Sequence, residues 1–200
     1  MTKNVYKIIG YHGTNENNVG DMLKNGYTCN ERDDHWLGQG IYFYTDIRLA
    51  KWFSVRKYKE ETNKNLAVLK AVLSTDSDNV LNLDTVEGVD FVYQFIYDHY
   101  NDLKLEFLSE DTNLNRCMIL DIIKELHDLD IIIKTFKTKE QTYGKANVSF
   151  FEKNYFPLGI EYNETQICAT NNNCIESSEK VVEAGDYKLP SRIWFEKKMR

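Results

Sequence analysis

The stretch WLGQGIYFYTD, residues 36–46, restricts the fold more than any other part of the chain. Two glycines, Gly38 and Gly40, precede a β-branched and aromatic run with tyrosines at alternate positions. Alternate positions share one face of a strand, so Tyr42 and Tyr44 are predicted to point the same way. A strand that only fills a core has little use for glycines at its start. We therefore expect a ligand to approach the backbone closely there.

Composition limits the class of protein. The 200 residues are 42% hydrophobic, enough for one domain with a sizeable core. The net charge is −6 and the 25 basic residues are scattered, which argues against broad electrostatic capture of nucleic acid but leaves room for a local basic groove. The sequence contains neither an apolar run of roughly 20 residues nor a signal-peptide pattern at its start. The four cysteines show no CxxC spacing, so we expect reduced thiols, no metal and a cytoplasmic enzyme or binding domain.

Hydrophobic periodicity predicts alternating strands and helices in the first half of the chain. One helix should start at Thr14 or Asn15 and end at Gly26. The strands are predicted at VYKIIGYHGT, GIYFYTD, NLAVLKAVLST and NVLNLD, and the helices at NENNVGDMLKNGY and IRLAKWFSVRKYKEET.

The sequence texture changes to helical from residue 84 to about 135. Asp84 or Thr85 is expected to cap the first helix of this segment, and a second helix follows. Strand character returns in GKANVSFFEKNYF and ETQICA. Residues 1–200 are thus predicted to form one β-rich domain with a helical segment at about 84–135.

Three motifs carry the functional signal: YHGT at 11–14, LGQGIYF at 37–43 with LAKWF at 49–53, and ETQICATNNNCI at 164–175. In this order they resemble the ADP-ribosyltransferase superfamily, in its diphtheria-toxin and poly(ADP-ribose)-polymerase-like branch. That branch carries His-Gly-Ser/Thr, Gly-x-Gly-Ile-Tyr-Phe followed by Ala-x-Tyr, and a last strand with an acidic or substitute residue. The resemblance is close over residues 8–53 and loose over 160–176.

The resemblance implies an α+β fold, the split antiparallel β-sandwich of ADP-ribosyltransferases, with a nicotinamide cleft between its two sheets. It implies NAD as substrate, without a metal, and transfer of ADP-ribose to a macromolecular acceptor that is protein or nucleic acid. The small chain also resembles stand-alone bacterial members that act as toxins or phage-defence effectors. Such a protein would meet an antitoxin or immunity partner.

The chemistry of nicotinamide favours particular residues within these motifs. Its flat cationic ring binds between aromatic faces, which Tyr42 and Trp52 can supply. Gly13 can offer a backbone donor and acceptor to the carboxamide, which Thr14 can also reach, and His12 can hydrogen-bond a ribose hydroxyl. Gly40, with Gly38, would let the strand approach the ligand. Each residue also has a structural interpretation, as core histidine, strand filler or helix core.

The last strand leaves two candidates, Glu164 and Gln166, which share one strand face. Gln166 fits the family register better and is predicted to orient the ribose. Glu164, which has the usual chemistry, would then lie at the cleft rim and assist the acceptor. Because glutamine brings no charge, this arrangement favours single transfer over chain elongation. The alternative is a catalytically silent module that binds NAD, ADP-ribose or a partner protein.

Overall fold

The computed structural model describes residues 4–29, 35–58, 66–101, 111–137 and 163–182. These residues form seven strands and four helices. In chain order the elements are β1 (Val5–Asn15), α1 (Glu16–Asn25), β2 (Ile41–Tyr44), α2 (Ile47–Lys57), β3 (Leu66–Asp76), β4 (Val80–Asn82), α3 (Val86–Asp98), α4 (Thr112–His127), β5 (Ile131–Lys137), β6 (Asn163–Ala169) and β7 (Ile175–Val182).

The strands form one sheet in the order β4-β5-β6-β2-β1-β3-β7. All neighbours are antiparallel except β4 and β5. β1 pairs with β3 from Val5 to Asn15, but it pairs with β2 only at Tyr11 and Tyr44. The predicted α+β class is confirmed. Two separate sheets were expected; the described strands instead form one sheet whose halves meet at a single residue pair.

The helices divide the two faces of the sheet between three cores. α1 covers one face, where Val19 packs with Phe43 and Ile167. On the opposite face, α2 covers the β1–β3 side, while α3 and α4 cover the β4–β6 side. Tyr42 packs against the α3–α4 core and Tyr44 against the α2 core. Strand β2 therefore passes beneath the boundary between these two cores.

Local signals place the helix ends correctly. Asn15, one of the two predicted caps of α1, accepts a 2.8 Å hydrogen bond from the Asn17 amide. Gly26 ends α1 at a φ of 88°, in the left-handed region that favours glycine. At α3 the cap is Thr85, whose hydroxyl accepts from the Gly88 amide at 3.1 Å.

The predicted helical segment is too long at its C-terminal end. α4 ends at His127, and Asp128 turns the chain with a φ of 50°. Ile131–Lys137 is a strand between β4 and β6 rather than helix. Its isoleucines alternate between the two faces, since Ile131 and Ile133 join the α1 core and Ile132 joins the α3–α4 core.

A second correction concerns the end of the sheet. The strand that contains Glu164 was predicted to be the last, but β7 follows it and pairs with β3 at the sheet edge. The strand predicted at GKANVSFFEKNYF lies outside the described residues. Among the described helices, none has both the length and the apolar character that a membrane crossing requires.

Candidate active site

The predicted site residues cluster around one row of paired residues that crosses three strands. Tyr11 of β1 pairs with Tyr44 of β2, which in turn pairs with Gln166 of β6. At the usual strand spacing this row is about 10 Å long. His12 follows Tyr11 directly, and Tyr42 and Glu164 each lie two residues from the row along their own strands. The fold therefore brings together the parts of all three motifs.

His12 occupies the place where β1 and β2 part. Its Nδ1 lies 2.8 Å from the Tyr42 carbonyl oxygen. A carbonyl only accepts, so Nδ1 carries the proton and Nε2 is left as a hydrogen-bond acceptor. The ring packs edge-on against Tyr27 and Phe43, with centroids 5.2 and 5.7 Å away. This tautomer suits the predicted role, acceptance of a hydrogen bond from a ribose hydroxyl.

Burial lowers the pKa of His12 to about 4, a shift that the Tyr42 hydrogen bond opposes and the positive charge of Lys57 reinforces. The unfolded chain therefore binds more protons than the folded one between pH 6.5 and 4. The contribution of neutral His12 to the stability of the fold is fully present above pH 6.5 and is lost as pH falls through 4.

Between pH 7 and 4 the free energy of unfolding should fall by roughly 3 kcal/mol more for the wild-type protein than for His12→Gln. Glutamine can donate to the Tyr42 carbonyl but does not titrate. Urea unfolding at each pH measures the difference. Identical pH profiles for wild type and His12→Gln would refute the assignment.

Tyr42 uses its hydroxyl to hold the glycine loop. The oxygen accepts from the Leu37 amide at 2.7 Å and donates to the Gly38 carbonyl at 2.6 Å. Burial raises the pKa of Tyr42 far above its usual value, so the group stays neutral. The ring lies 5.0 Å from the ring of His35. With the hydroxyl already bonded, the ring face is the part of Tyr42 suited to a ligand.

The loop at residues 36–40 is fastened to α4, a contact that the sequence analysis missed. The Gln39 amide donates to Asp121 Oδ1 at 2.7 Å. Lys124 donates to the carbonyls of Leu37 and Gln39 and pairs with Asp121 at 2.6 Å. A signal was present, because Asp121 and Lys124 interrupt the apolar run ILDIIKEL. The helical segment thus supports one wall of the candidate site.

Gly38 and Gly40 have structural causes. Gly38 has a φ of 77°, and a Cβ there would meet Asp121 and Lys124 of α4. A Cβ on Gly40 would lie 2.7 Å from the Ala169 carbonyl oxygen and would also strike the Cys168 sulfur. The close approach expected at these glycines is therefore made by α4 and β6.

Gly13 and Thr14 are enclosed by α1 and α2. A Cβ on Gly13 would come closer than 3.0 Å to the Ala50 carbonyl oxygen of α2. The Thr14 carbonyl accepts from Ser54 Oγ at 2.7 Å, and its fully buried hydroxyl lies 3.5 Å from Asn18 Nδ2. Thr14, predicted to reach the carboxamide, is thus directed toward α1.

Trp52 lies on α2, half-buried, with the Arg56 guanidinium 5.2 Å from the centre of its ring. The two aromatic residues predicted to sandwich nicotinamide have different neighbours, since Tyr42 lies beside His35 and Trp52 beside Arg56.

Glu164 and Gln166 form a buried polar pair on the face that carries Tyr42. Gln166 Nε2 donates to Glu164 Oε1 at 2.7 Å, and both residues are at most 6% exposed. Burial raises the pKa of Glu164, and the Gln166 hydrogen bond partly opposes that rise. By register Gln166 lies diagonal to Tyr42, while Glu164 lies two residues farther, opposite Phe136. The amide therefore lies nearer to Tyr42 and orients the carboxylate.

Tyr44, predicted to share a strand face with Tyr42, lies beside this pair. Burial raises its pKa, the negative charge of Glu164 raises it further, and Arg56 of α2 lowers it. Its ring centroid is 6.1 Å from that of Phe53. Tyr44 thus lies between the buried polar pair and α2.

Other chemistries find little support at this site. All four cysteines lie in the described part of the chain and are free thiols. Burial raises the pKa of Cys168 to about 12, so this thiol is not a nucleophile near neutral pH. Across the described ranges, His, Cys, Asp and Glu form no group of three that could hold a metal ion.

Two cavities among the described residues lie apart from the predicted site residues. One of about 520 Å³ adjoins the contact between the glycine loop and α4, and Gln39, Asp121 and Lys124 are among its lining residues. The other, of about 300 Å³, lies between β4 and the start of α3. Neither is lined by His12, Tyr42 or Glu164.

The chain is similar to an uncharacterized protein of Methanocaldococcus jannaschii. The two are 25% identical over 183 residues, which take in 84% of this chain and 85% of the relative. No family model and no solved structure matches the chain.

Proposed function

We propose that the protein is a mono-ADP-ribosyltransferase that cleaves the bond between nicotinamide and ribose in NAD. The observation that supports this proposal best is the row from Tyr11 to Gln166. It brings His12, where β1 and β2 part, and a buried carboxylate, Glu164, onto the two strands that flank β2, with the His12 ring and the carboxylate on opposite faces of the sheet.

The reaction breaks the C1′–N bond, and nicotinamide leaves with the electron pair. The ribose becomes an oxocarbenium cation, the nucleophile of the acceptor forms a new bond to C1′, and its proton is released. A fixed negative charge stabilises such a cation, most effectively away from water. Glu164 is the buried carboxylate at this place. We assign the charge to Glu164 and its orientation to Gln166, with His12 and Tyr42 holding the NAD.

Purified protein should release nicotinamide from NAD, with or without cell lysate, as chromatography of the products would show. His12→Ala and Tyr42→Ala should abolish the release. The first removes the nitrogen that accepts a hydrogen bond from the ribose, and the second removes the aromatic ring that packs against nicotinamide. His127→Ala and Tyr97→Ala are matched controls on α4 and α3. Full absence of turnover at high enzyme concentration would refute the proposal.

The rival function is a silent module on the same fold. The Tyr42 hydroxyl is bonded within the loop, and Thr14 is fully buried. Fewer polar groups are therefore available to a ligand than the motifs predict. Calorimetry separates the two functions, because NAD affinity without nicotinamide release identifies the silent module.

A further inference from the structure

Two aromatic and two basic side chains form a patch beside Glu164. Trp36 and Phe136 meet edge to face, with ring centroids 4.8 Å apart. The Arg116 guanidinium lies 5.2 Å and the Lys134 ammonium 5.9 Å from the centre of the Phe136 ring. Trp36 is 41% exposed although it is large and apolar. We call these four residues the cation–aromatic patch.

Strand register fixes the distance of the patch from the proposed chemistry. Phe136 pairs with Glu164 and Lys134 pairs with Gln166, and directly paired side chains on one face have Cβ atoms about 5 Å apart. Phe136 packs against the α3–α4 core, on the face of the sheet opposite the α1 core.

His12 lies on the other side of the sheet from the patch, because its ring packs with Tyr27 and Phe43 of the α1 core. A molecule that reaches Glu164 from the patch therefore approaches from the side away from His12. That is the approach open to an acceptor while His12 holds the donor.

The chemistry of the patch suits a strand of nucleic acid. Exposed aromatic rings stack on bases of any sequence, and Arg and Lys beside them bind the phosphates. Arg116 is also held in place, since its Nε donates to the Trp36 carbonyl at 2.7 Å and its Nη2 to Asn113 Oδ1 at 2.7 Å. The net charge of −6 restricts such binding to a local site of this kind.

We propose that the cation–aromatic patch binds single-stranded nucleic acid and presents it to Glu164 as the acceptor of ADP-ribose. This inference rests on the proposed function. In the transfer, an oxygen or nitrogen of the nucleic acid forms the bond to C1′ and loses its proton to solvent, while nicotinamide leaves with the electrons of the C1′–N bond.

The binding step is tested without NAD, by fluorescence anisotropy of labelled 20-nucleotide strands of DNA and RNA at low salt. Trp36→Ala should weaken binding about tenfold or more. Contact with two phosphates predicts that log K falls with log salt at a slope of about −1.4, and Lys134→Gln should reduce that slope by about 0.7.

Two exposed residues elsewhere supply matched controls. Tyr97→Ala removes a 79% exposed aromatic ring from α3, and Lys7→Gln removes an exposed lysine from β1. Neither should change the affinity. Absence of strand binding, or equal losses in the controls, overturns the proposal. So does a result in which Trp36→Ala and Lys134→Gln weaken the binding of NAD rather than of the strands.

Transfer is followed with NAD labelled in its adenylate half, in the presence of the strands. Label that enters the strand and is released by nuclease supports the proposal, whereas label confined to protein overturns it. Strand binding without nicotinamide release confirms the binding site and refutes the proposed function instead.

Discussion

Replacement of Glu164 by glutamine should slow nicotinamide release at least about 100-fold, the usual cost of one group that stabilises a transition state. The substitution keeps the shape of the side chain and removes only its charge. Burial raises the pKa of Glu164, so the ionised form disfavours the fold and its contribution to stability falls as pH rises through the folded pKa. Glu164→Gln should therefore unfold at pH 7 with an equal or higher free energy.

The measurement pairs single-turnover release of nicotinamide with urea unfolding of the same samples. Gln166→Ala is the companion variant and should slow the release less, because it loosens the carboxylate without removing it. If Gln166→Ala abolished release and Glu164→Gln left it intact, the glutamine would hold the catalytic position, as the family register in the sequence suggested.

Replacement of Gly13 by alanine should destabilise the protein by at least about 2 kcal/mol. The added Cβ would meet the Ala50 carbonyl oxygen, a backbone atom that cannot rotate away, so α2 would have to move. Denaturant unfolding gives the loss, and failure to obtain folded protein counts as the same result.

Gly20→Ala is the matched control in α1. A Cβ there meets no atom within 4 Å, and alanine is the better helix former. It should raise the unfolding free energy by about 0.5–1 kcal/mol. A Gly13→Ala protein of normal stability that no longer binds NAD would show instead that Gly13 is kept for the ligand.

Elements with their own start and stop signals could be predicted from the sequence. α1 has a polar cap at Asn15 and a glycine at its end, and both signals act within a few residues. β5 lacks such signals, because a run of three isoleucines fits either a buried helix or a buried strand. Its pairing with β6, more than 25 residues later in the chain, decides the outcome.

The candidate site shows the same limit. The motifs drew attention to His12, Tyr42 and the pair on β6, which the fold brings to adjacent strands, while their roles stay predictions. They could not show that Asp121 and Lys124 of α4 would fasten the glycine loop, since that contact spans more than 80 residues. Nor could they distinguish a glycine that faces a ligand from one that faces a helix, as Gly13 does.

Because β1 and β2 pair at a single position, few backbone hydrogen bonds join the two halves of the sheet. On either side of this junction the strands pair with their outer neighbours over several residues, so each half of the sheet is rigid. A ligand bound beside His12 would contact both halves and supply non-covalent interactions that the backbone lacks there. Its binding would then stabilise the two halves of the sheet against separation by RT ln(1 + [L]/Kd), where [L] is the concentration of free ligand.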